Sequence, residues 1–431
     1  MTFLAQILDL AAMPSGEIPA SARSMARFSL FDWLVCGRAG VSEPLAVILR
    51  DYVGAEGGLP AASVFGGTKA PARAAALVNG ATSHALDYDD THFGHVGHPS
   101  VAIYPAALAV GEEVGASAAD VADAFLIGAE ASVRIGMVLG AGHYNRGFHQ
   151  TATAGAFGAT VAAGRLYGLT RDQIRVAIGL CATRASGLKS QFGTMGKPYN
   201  AGIAASNGIE CAGLARAGFT SADDGLMGAQ GFVLTHADAP QPSPPVGTFL
   251  FEDVKYKLHA CCHGTHAIIE ALSALKRAHN LTPGRVASIH LRTGTRWLSV
   301  CDIKAPRTGL EIKFSYNWLA GMVLAGISTA SDRAYTDTLA QDDLLADFAA
   351  KITVEGDAAL TDMQVVGEVQ LKDGGKLPFA YDLAARLPDA VLENRLRAKA
   401  TGLIGADGEQ IWAMIVALDS LGARDLGKAL R

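Results

Sequence analysis

The sequence predicts a mainly α fold, a large all-helical region with a smaller α+β segment inserted ahead of the C-terminal helices. Three observations carry this. Residues 1 to about 250 are rich in Ala and Gly, poor in β-branched runs, and broken by Gly or Pro every fifteen to twenty residues or so, which is the punctuation of helices and turns. From about 253 to 389, stretches such as RVASIHLRTG and QVVGEVQLKDGGKLPFAYD alternate apolar and polar residues. Beyond Pro388 helical periodicity returns.

The opening MTFLAQILDLAAMP reads as an amphipathic helix, since Asp9 interrupts it and it lacks the basic start and small-residue cleavage site of a signal peptide. ASVRIGMVLGAG and HQTATAGAFGATVAAGRLYGL place small residues at i, i+3 and i+4, which lets helix backbones approach closely and predicts a bundle with buried central helices. PQPSPPVG, 240–247, reads as a linker, and Asp-Gly-Gly in the second alternating stretch is hairpin-turn chemistry. In the tail, Leu392, Leu396 and the run Ile411 to Leu418 share one apolar face and are expected to fold back onto the first region. The expected boundaries are 1–252 helical, 253–389 α+β and 390–431 helical again.

Composition narrows the function. A chain of 431 residues that is 50% hydrophobic and 18% charged buries a large core and is neither disordered nor fibrous. A net charge of −5 offers no basic stripe for nucleic acid, and no stretch reaches about 18 uninterrupted apolar residues, so neither nucleic acid nor membrane is an expected partner. Six scattered cysteines suit a reducing cytoplasm rather than a disulfide scaffold.

Chemistry therefore rests on local clusters. Nine of the twelve histidines fall in two regions, one holding His84, His92, His95, His98, His143 and His149, the other His259, His263 and His266. GHPS (97–100), GFHQT (147–151) and GKPY (196–199) share a plan: Gly beside a His or Lys, opening into a helical run, with Pro99 and Pro198 expected at the first helical position. Converging helix starts, with their unpaired N–H groups, two imidazoles and an ammonium, would make an anion pocket within an acidic protein. The run Asp87-Tyr88-Asp89-Asp90-Thr91 would repel an anion directly, so its carboxylates are expected to orient His or Lys, although a solvated loop is nearly as good a reading for Asp89 and Asp90. Spacing of three in His92, His95 and His98, and the patch Cys261, Cys262, His263 and His266, raise a metal site. Neither gives CxxC or HExxH, and no metal is expected. GxxxxGK[ST] and a strand followed by GxGxxG are missing, so no nucleotide cofactor is expected either. Glu130 and Arg134, four apart in an apolar helix, read as a structural ion pair.

HALDYDDTH, GHPSVAIYPAALAVGE, GFHQTATAGAFGA, FGTMGKPYNAG and KLHACCHGTH, in this order, resemble the MmgE/PrpD family, which includes 2-methylcitrate dehydratase, cis-aconitate decarboxylase and iminodisuccinate epimerase. The resemblance implies a helical domain built from both ends of the chain, an α+β lid between them, a homodimer and no cofactor. It implies catalytic roles for His98, His149, Lys197 and Lys257, and places Asp87 and Thr91 at the substrate. Tyr144, Tyr199 and Cys262 join them as substrate-contact candidates by placement.

Three departures leave the reaction open. The family's KxYPxC-like or KxFPxH-like lid motif reads Lys257-Leu258-His259-Ala260-Cys261-Cys262, and its FSxPY-like motif reads Phe314-Ser315-Tyr316-Asn317-Trp318. A frequent histidine of the KPLHAG-like segment is Asn200, which cannot titrate. The resemblance implies proton abstraction and elimination on a small di- or tricarboxylate, with a 2-methylcitrate dehydratase-like hydro-lyase first. An iminodisuccinate-type epimerase or a cis-aconitate-type decarboxylase is the alternative, and a metal-dependent enzyme is less favoured.

Overall fold

A computed structural model describes residues 1–431, in which the chain forms seventeen α-helices and one four-stranded sheet. They divide into two compact units, 1–256 with 404–431, and 257–403.

The first unit opens with α1 (Phe3–Ala11), α2 (Ala20–Ala39), α3 (Pro44–Glu56) and α4 (Ala72–Ser83). It continues through α5 (Pro99–Val114), α6 (Ala118–Arg146), α7 (Gln150–Leu166), α8 (Arg171–Arg184), α9 (Gly196–Arg216) and the short α10 (Phe232–His236). The small-residue stripes set its packing. At Gly80 an added Cβ would lie 2.8 Å from Gly202 Cα, and at Gly128 one would lie 2.4 Å from the Gly158 carbonyl oxygen. Helix pairs α4/α9 and α6/α7 thus meet backbone to backbone, and α5 and α7 are buried over nearly their whole length. The 29-residue α6 starts on a capping box between Ser117 and Asp120 and breaks at Gly140 (φ 69°, ψ 178°). It is long and apolar enough to cross a membrane, but 89% of its most apolar window is buried within the protein, the mark of a core helix.

The stretch expected to be a linker is tied down within this unit. Arg134, paired with Glu130 at 2.8 Å, donates to the carbonyls of Pro245 (2.9 Å) and Thr248 (2.7 Å), while Glu130 accepts from the Phe251 N–H at 2.8 Å. The Glu130–Arg134 pair is structural, as its spacing suggests.

The second unit holds α11 (His266–His279), α12 (Gly309–Ile312), α13 (Tyr316–Ala325), α14 (Asp343–Ala349) and α15 (Asp389–Ile404). Its sheet comprises β1 (Val286–Thr293), β2 (Ile352–Gly356), β3 (Gln364–Leu371) and β4 (Lys376–Asp382), in the order β2-β1-β3-β4. The hairpin forms where the Asp-Gly-Gly turn is, with Gln370 opposite Lys376, and β2 adds in parallel to β1 with Ile289 opposite Ile352. The sequence reading missed β2, a five-residue strand with only its first residue buried.

The helical tail has two destinations. Leu392 and Leu396 are buried in α15, which stays in the second unit through Arg395 on Glu270, so the expected boundary at 389/390 falls instead at 403/404. Only α16 (Asp407–Val416) and α17 (Ala423–Leu426) return to the first unit. There Trp412 stacks on Phe28 at 6.1 Å and meets Phe31 edge-on at 5.1 Å, and Arg38 pairs with Asp407 at 2.8 Å.

At Gly202 an added methyl would lie 2.2 Å from the Leu77 carbonyl oxygen, which is backbone and has no rotamer to yield. Gly202→Ala should therefore destabilise the protein by about 1–3 kcal/mol, read as a lower urea midpoint. An unchanged midpoint would contradict this packing.

Candidate active site

The site grows from the turn after α4. His84 caps the C-terminus of that helix, and the chain turns back through Asp87, held at φ +51° in the left-handed region, which carries strain for any residue but glycine. The turn is anchored by its own carboxylates. Asp90 accepts from Ser29 Oγ at 2.9 Å and Ser100 Oγ at 2.6 Å. Burial pushes its carboxyl up to about 7, with Asp32 and Asp89 adding to the effect and the serine bonds opposing it. Asp89 and Asp90 are fully buried, so the solvated-loop reading fails for both.

Asp89 lies between two imidazoles. One oxygen is 2.8 Å from His84 Nδ1 and the other is 2.8 Å from His98 Nδ1. The His98 approach is oblique, so it acts through charge more than through an aligned hydrogen bond. Burial drives this carboxyl upward, but the charges of His84 and His98, with their hydrogen bonding, outweigh it and hold it well below the usual carboxylate range. Asp89 is thus a buried anion that favours a proton on the nitrogen each ring turns toward it. Rings 84 and 98 sit 4.5 Å apart and rings 84 and 149 are 6.2 Å apart. His84 Nε2 is buried with no hydrogen-bond partner.

Three helix starts surround this core. His98 is the N-cap of α5, with Pro99 first in the helix; His149 is the N-cap of α7. Lys197 lies in the first turn of α9, where Pro198 takes the third helical position rather than the expected first. The His98 N–H donates to Thr151 Oγ1 at 3.0 Å, joining the starts of α5 and α7. Gly97 makes that approach possible, since a Cβ there would lie 2.8 Å from the Thr151 nitrogen. Lys197 Nζ reaches Asp87 at 2.6 Å, and Asp87 is also 3.6 Å from His98 Nε2. Phe192 walls the group, edge-on to His149 at 5.0 Å and 5.4 Å from the Lys197 ammonium.

The structure therefore brings Asp87, His98, His149 and Lys197 together, and adds His84, Asp89 and Phe192. Sequence reading placed His84 in the histidine cluster without a role and gave Asp89 an orienting one; Phe192 carried no signal. Thr91 pairs backbone to backbone with Lys255, its N–H 2.8 Å from the Lys255 oxygen. Tyr144, in the last turn of α6, carries the Lys189 ammonium 3.7 Å from its ring centroid, and Tyr199 is exposed on α9. Of the other first-region histidines, His92 meets the Leu250 carbonyl at 2.8 Å, His95 meets Ser132 at 3.0 Å, and His143 lies between the His236 carbonyl and Thr153.

Lys257 and Cys262 belong to the second unit. Lys257, its first residue, is buried near Cys261 and Cys301. His259, which stands where the family has an aromatic residue, lies between Thr329 (2.8 Å) and Glu270 (3.0 Å). Burial raises the Glu270 carboxyl, but His259 and Arg395 overcome this and hold it at about 2. That histidine is a structural partner of a largely buried carboxylate.

Donor atoms of His84, Asp87, Asp89 and His98 lie within 4.8 Å of one another, close enough to share a cation, while the Lys197 ammonium already sets a positive charge against Asp87. Fold and site together define a helical protein that gathers ionisable groups at converging helix starts. Residues 10–245 match the MmgE/PrpD N-terminal domain and residues 259–413 the MmgE/PrpD C-terminal domain. The chain belongs to the MmgE/PrpD family. It is 32% identical over 286 residues to the cis-aconitate decarboxylase-like protein oryM of Aspergillus oryzae, covering 61% of this chain and 58% of that one. It is 30% identical over 289 residues to a cis-aconitate decarboxylase of Aspergillus terreus (62% and 58%), and 29% over 217 residues to the human cis-aconitate decarboxylase (48% and 45%). The matches thus span less than two thirds of these relatives' length.

Six histidines (92, 95, 143, 149, 259 and 266) are held below their ordinary range mainly by burial, His95 at about 3 and His143 at about 4. As pH falls below about 6.5, the unfolded chain takes up protons that these folded rings refuse, so stability falls with pH. Asp90 and Glu130, both raised by burial, act in the opposite sense but are only two. The melting temperature should drop between pH 7.5 and 5; a steady rise on acidification would contradict the neutral, buried state of these rings.

Proposed function

We propose that this protein is a lyase that breaks a bond beside a carboxylate of a small di- or tricarboxylate by proton transfer and electrostatic stabilisation from its own side chains. The observation that supports it most is Asp89 between His84 and His98, with the Lys197 ammonium one carboxylate away on Asp87. Such a bond breaks only if the electron pair left on carbon is spread onto carboxylate oxygens and the charge there is met. Lys197 and the N–H groups in the first turns of α5, α7 and α9 supply fixed positive potential for this, often the largest contribution in such sites. His98 supplies the proton transfer: Asp89 stabilises its imidazolium and favours a proton on Nδ1, leaving Nε2 for exchange with the substrate. Asp87 holds Lys197 until a substrate carboxylate takes over that contact.

The named relatives favour loss of carbon dioxide from cis-aconitate over loss of water from 2-methylcitrate. In that step the carbon–carboxylate bond breaks, carbon dioxide leaves, the electron pair is delocalised toward a remaining carboxylate, and His98 Nε2–H delivers a proton to carbon. Dehydration would instead need an acid placed at a β-hydroxyl. Lys257, the first residue of the second unit, is proposed as a catalytic residue from the family resemblance alone. Homodimerisation, from the resemblance, and a cytoplasmic location, from the scattered cysteines, remain part of this proposal.

The test is incubation of the full chain in deuterated water with cis-aconitate, 2-methylcitrate and aminodicarboxylates, followed by NMR with and without a chelator. Cis-aconitate should lose carbon dioxide and gain one deuterium on carbon, with no effect of the chelator. His98→Asn and Lys197→Met should each lower kcat/KM by about 10²–10⁴. Failure to convert any of these acids, or unchanged rates in both variants, would overturn the reading.

A further inference from the structure

The two histidines of the site do not have equivalent surroundings. His98 faces a carboxylate, whereas His149 faces the side-chain amide of Asn200, the residue that stands where the family often has a histidine. Asn200 is 4% exposed in the first turns of α9, and its Nδ2 lies 3.2 Å from His149 Nδ1 and 3.3 Å from the Leu188 carbonyl oxygen. A carbonyl oxygen only accepts, so the amide edge facing Leu188 and His149 is the NH₂ edge. Its Oδ1 points toward Gly187, where an added Cβ would lie 3.4 Å from that oxygen. Gly187 (φ +147°) also accepts the His149 backbone N–H at 3.0 Å, so ring and backbone are both held against the 187–188 segment.

An imidazole that accepts at Nδ1 carries its one proton on Nε2 when neutral. The neutral form is favoured here: burial first, then the positive charges of His84, Lys197 and His98, push His149 well below its ordinary range. We propose that Asn200 is a positioning residue that locks His149 as the neutral Nε2–H form, so that His149 donates a hydrogen bond to substrate oxygen and His98 alone exchanges protons. The proposal rests on the carboxylate-lyase reading for its substrate, but the lock itself is a property of the empty ring. It divides the labour between the two imidazoles. An Nε2–H donor meets negative charge growing on a carboxylate or enolate oxygen, and it cannot serve as a base at that nitrogen. An acidic residue at 200 would reverse this, because a carboxylate can only accept and so favours a proton on the facing Nδ1.

The experiment is ¹⁵N NMR of substrate-free protein labelled at histidine, with His149→Gln to assign the signal. In the parent, His149 should show an unprotonated Nδ1 and a proton-bearing Nε2 from pH 8 to 5. Asn200→Asp, nearly identical in shape, should move the proton to Nδ1 and make the ring titrate at higher pH. Asn200→Ala should leave a mixture of the two forms. With cis-aconitate, Asn200→Asp should lower kcat by about 10²-fold with a smaller change in KM and an acid limb shifted to higher pH. A parent His149 protonated at Nδ1, or an Asn200→Asp variant with the parent's proton placement, would overturn the lock even in an active enzyme. Correct proton placement in a protein that converts no polycarboxylate would sustain the lock and defeat the lyase reading instead.

Discussion

A fully buried, ionised carboxylate shared by two imidazoles is the constraint on which the first unit's architecture depends. An unpaired charge at the position of Asp89 would be costly, and removing either imidazole would leave one of its oxygens without a partner. His84 arrives from the end of α4 and His98 from the start of α5, each on one carboxylate oxygen, and the strained turn at Asp87 lies between them in the chain. Asp90 tethers the same turn to Ser29 of α2 and Ser100 of α5. The backbone strain is thus offset by buried polar contacts within a few residues of it, a pattern common at functional sites.

Close helix packing makes this arrangement possible. Ionisable groups from α4, α5, α7 and α9 meet only because glycines let the backbones approach, at Gly80 against Gly202 and at Gly97 against Thr151. The small residues that look like generic core in the sequence therefore have a second effect: they bring three helix starts within reach of one carboxylate cluster. Phe192 borders the cluster on the side of His149 and Lys197.

Much of this was legible in the sequence, and the failures have physical causes. The helical region, the hairpin at Asp-Gly-Gly, the Glu130–Arg134 pair and the gathering of Asp87, His98, His149 and Lys197 follow from periodicity, turn chemistry and repeated Gly-His or Gly-Lys helix starts. Strand β2 was missed because five residues with one buried position carry almost no alternation. The sequence suggests one destination for the tail because α15 and α16 have the same kind of apolar face, and which surface covers a face is a tertiary fact. Pro198 was placed first in its helix because proline favours that position, whereas α9 begins two residues earlier at Gly196. The burial of Asp89 and Asp90 was equally hidden, since an acidic run reads as solvated until its partners from distant helices are known.

The most direct measurement of the shared-carboxylate arrangement is a neutron diffraction structure of the substrate-free protein after exchange into deuterated solvent. Deuterium is expected on Nδ1 of both His84 and His98 and on neither oxygen of Asp89. A deuteron on the Asp89 carboxyl, or a His98 that bears deuterium only at Nε2, would contradict it.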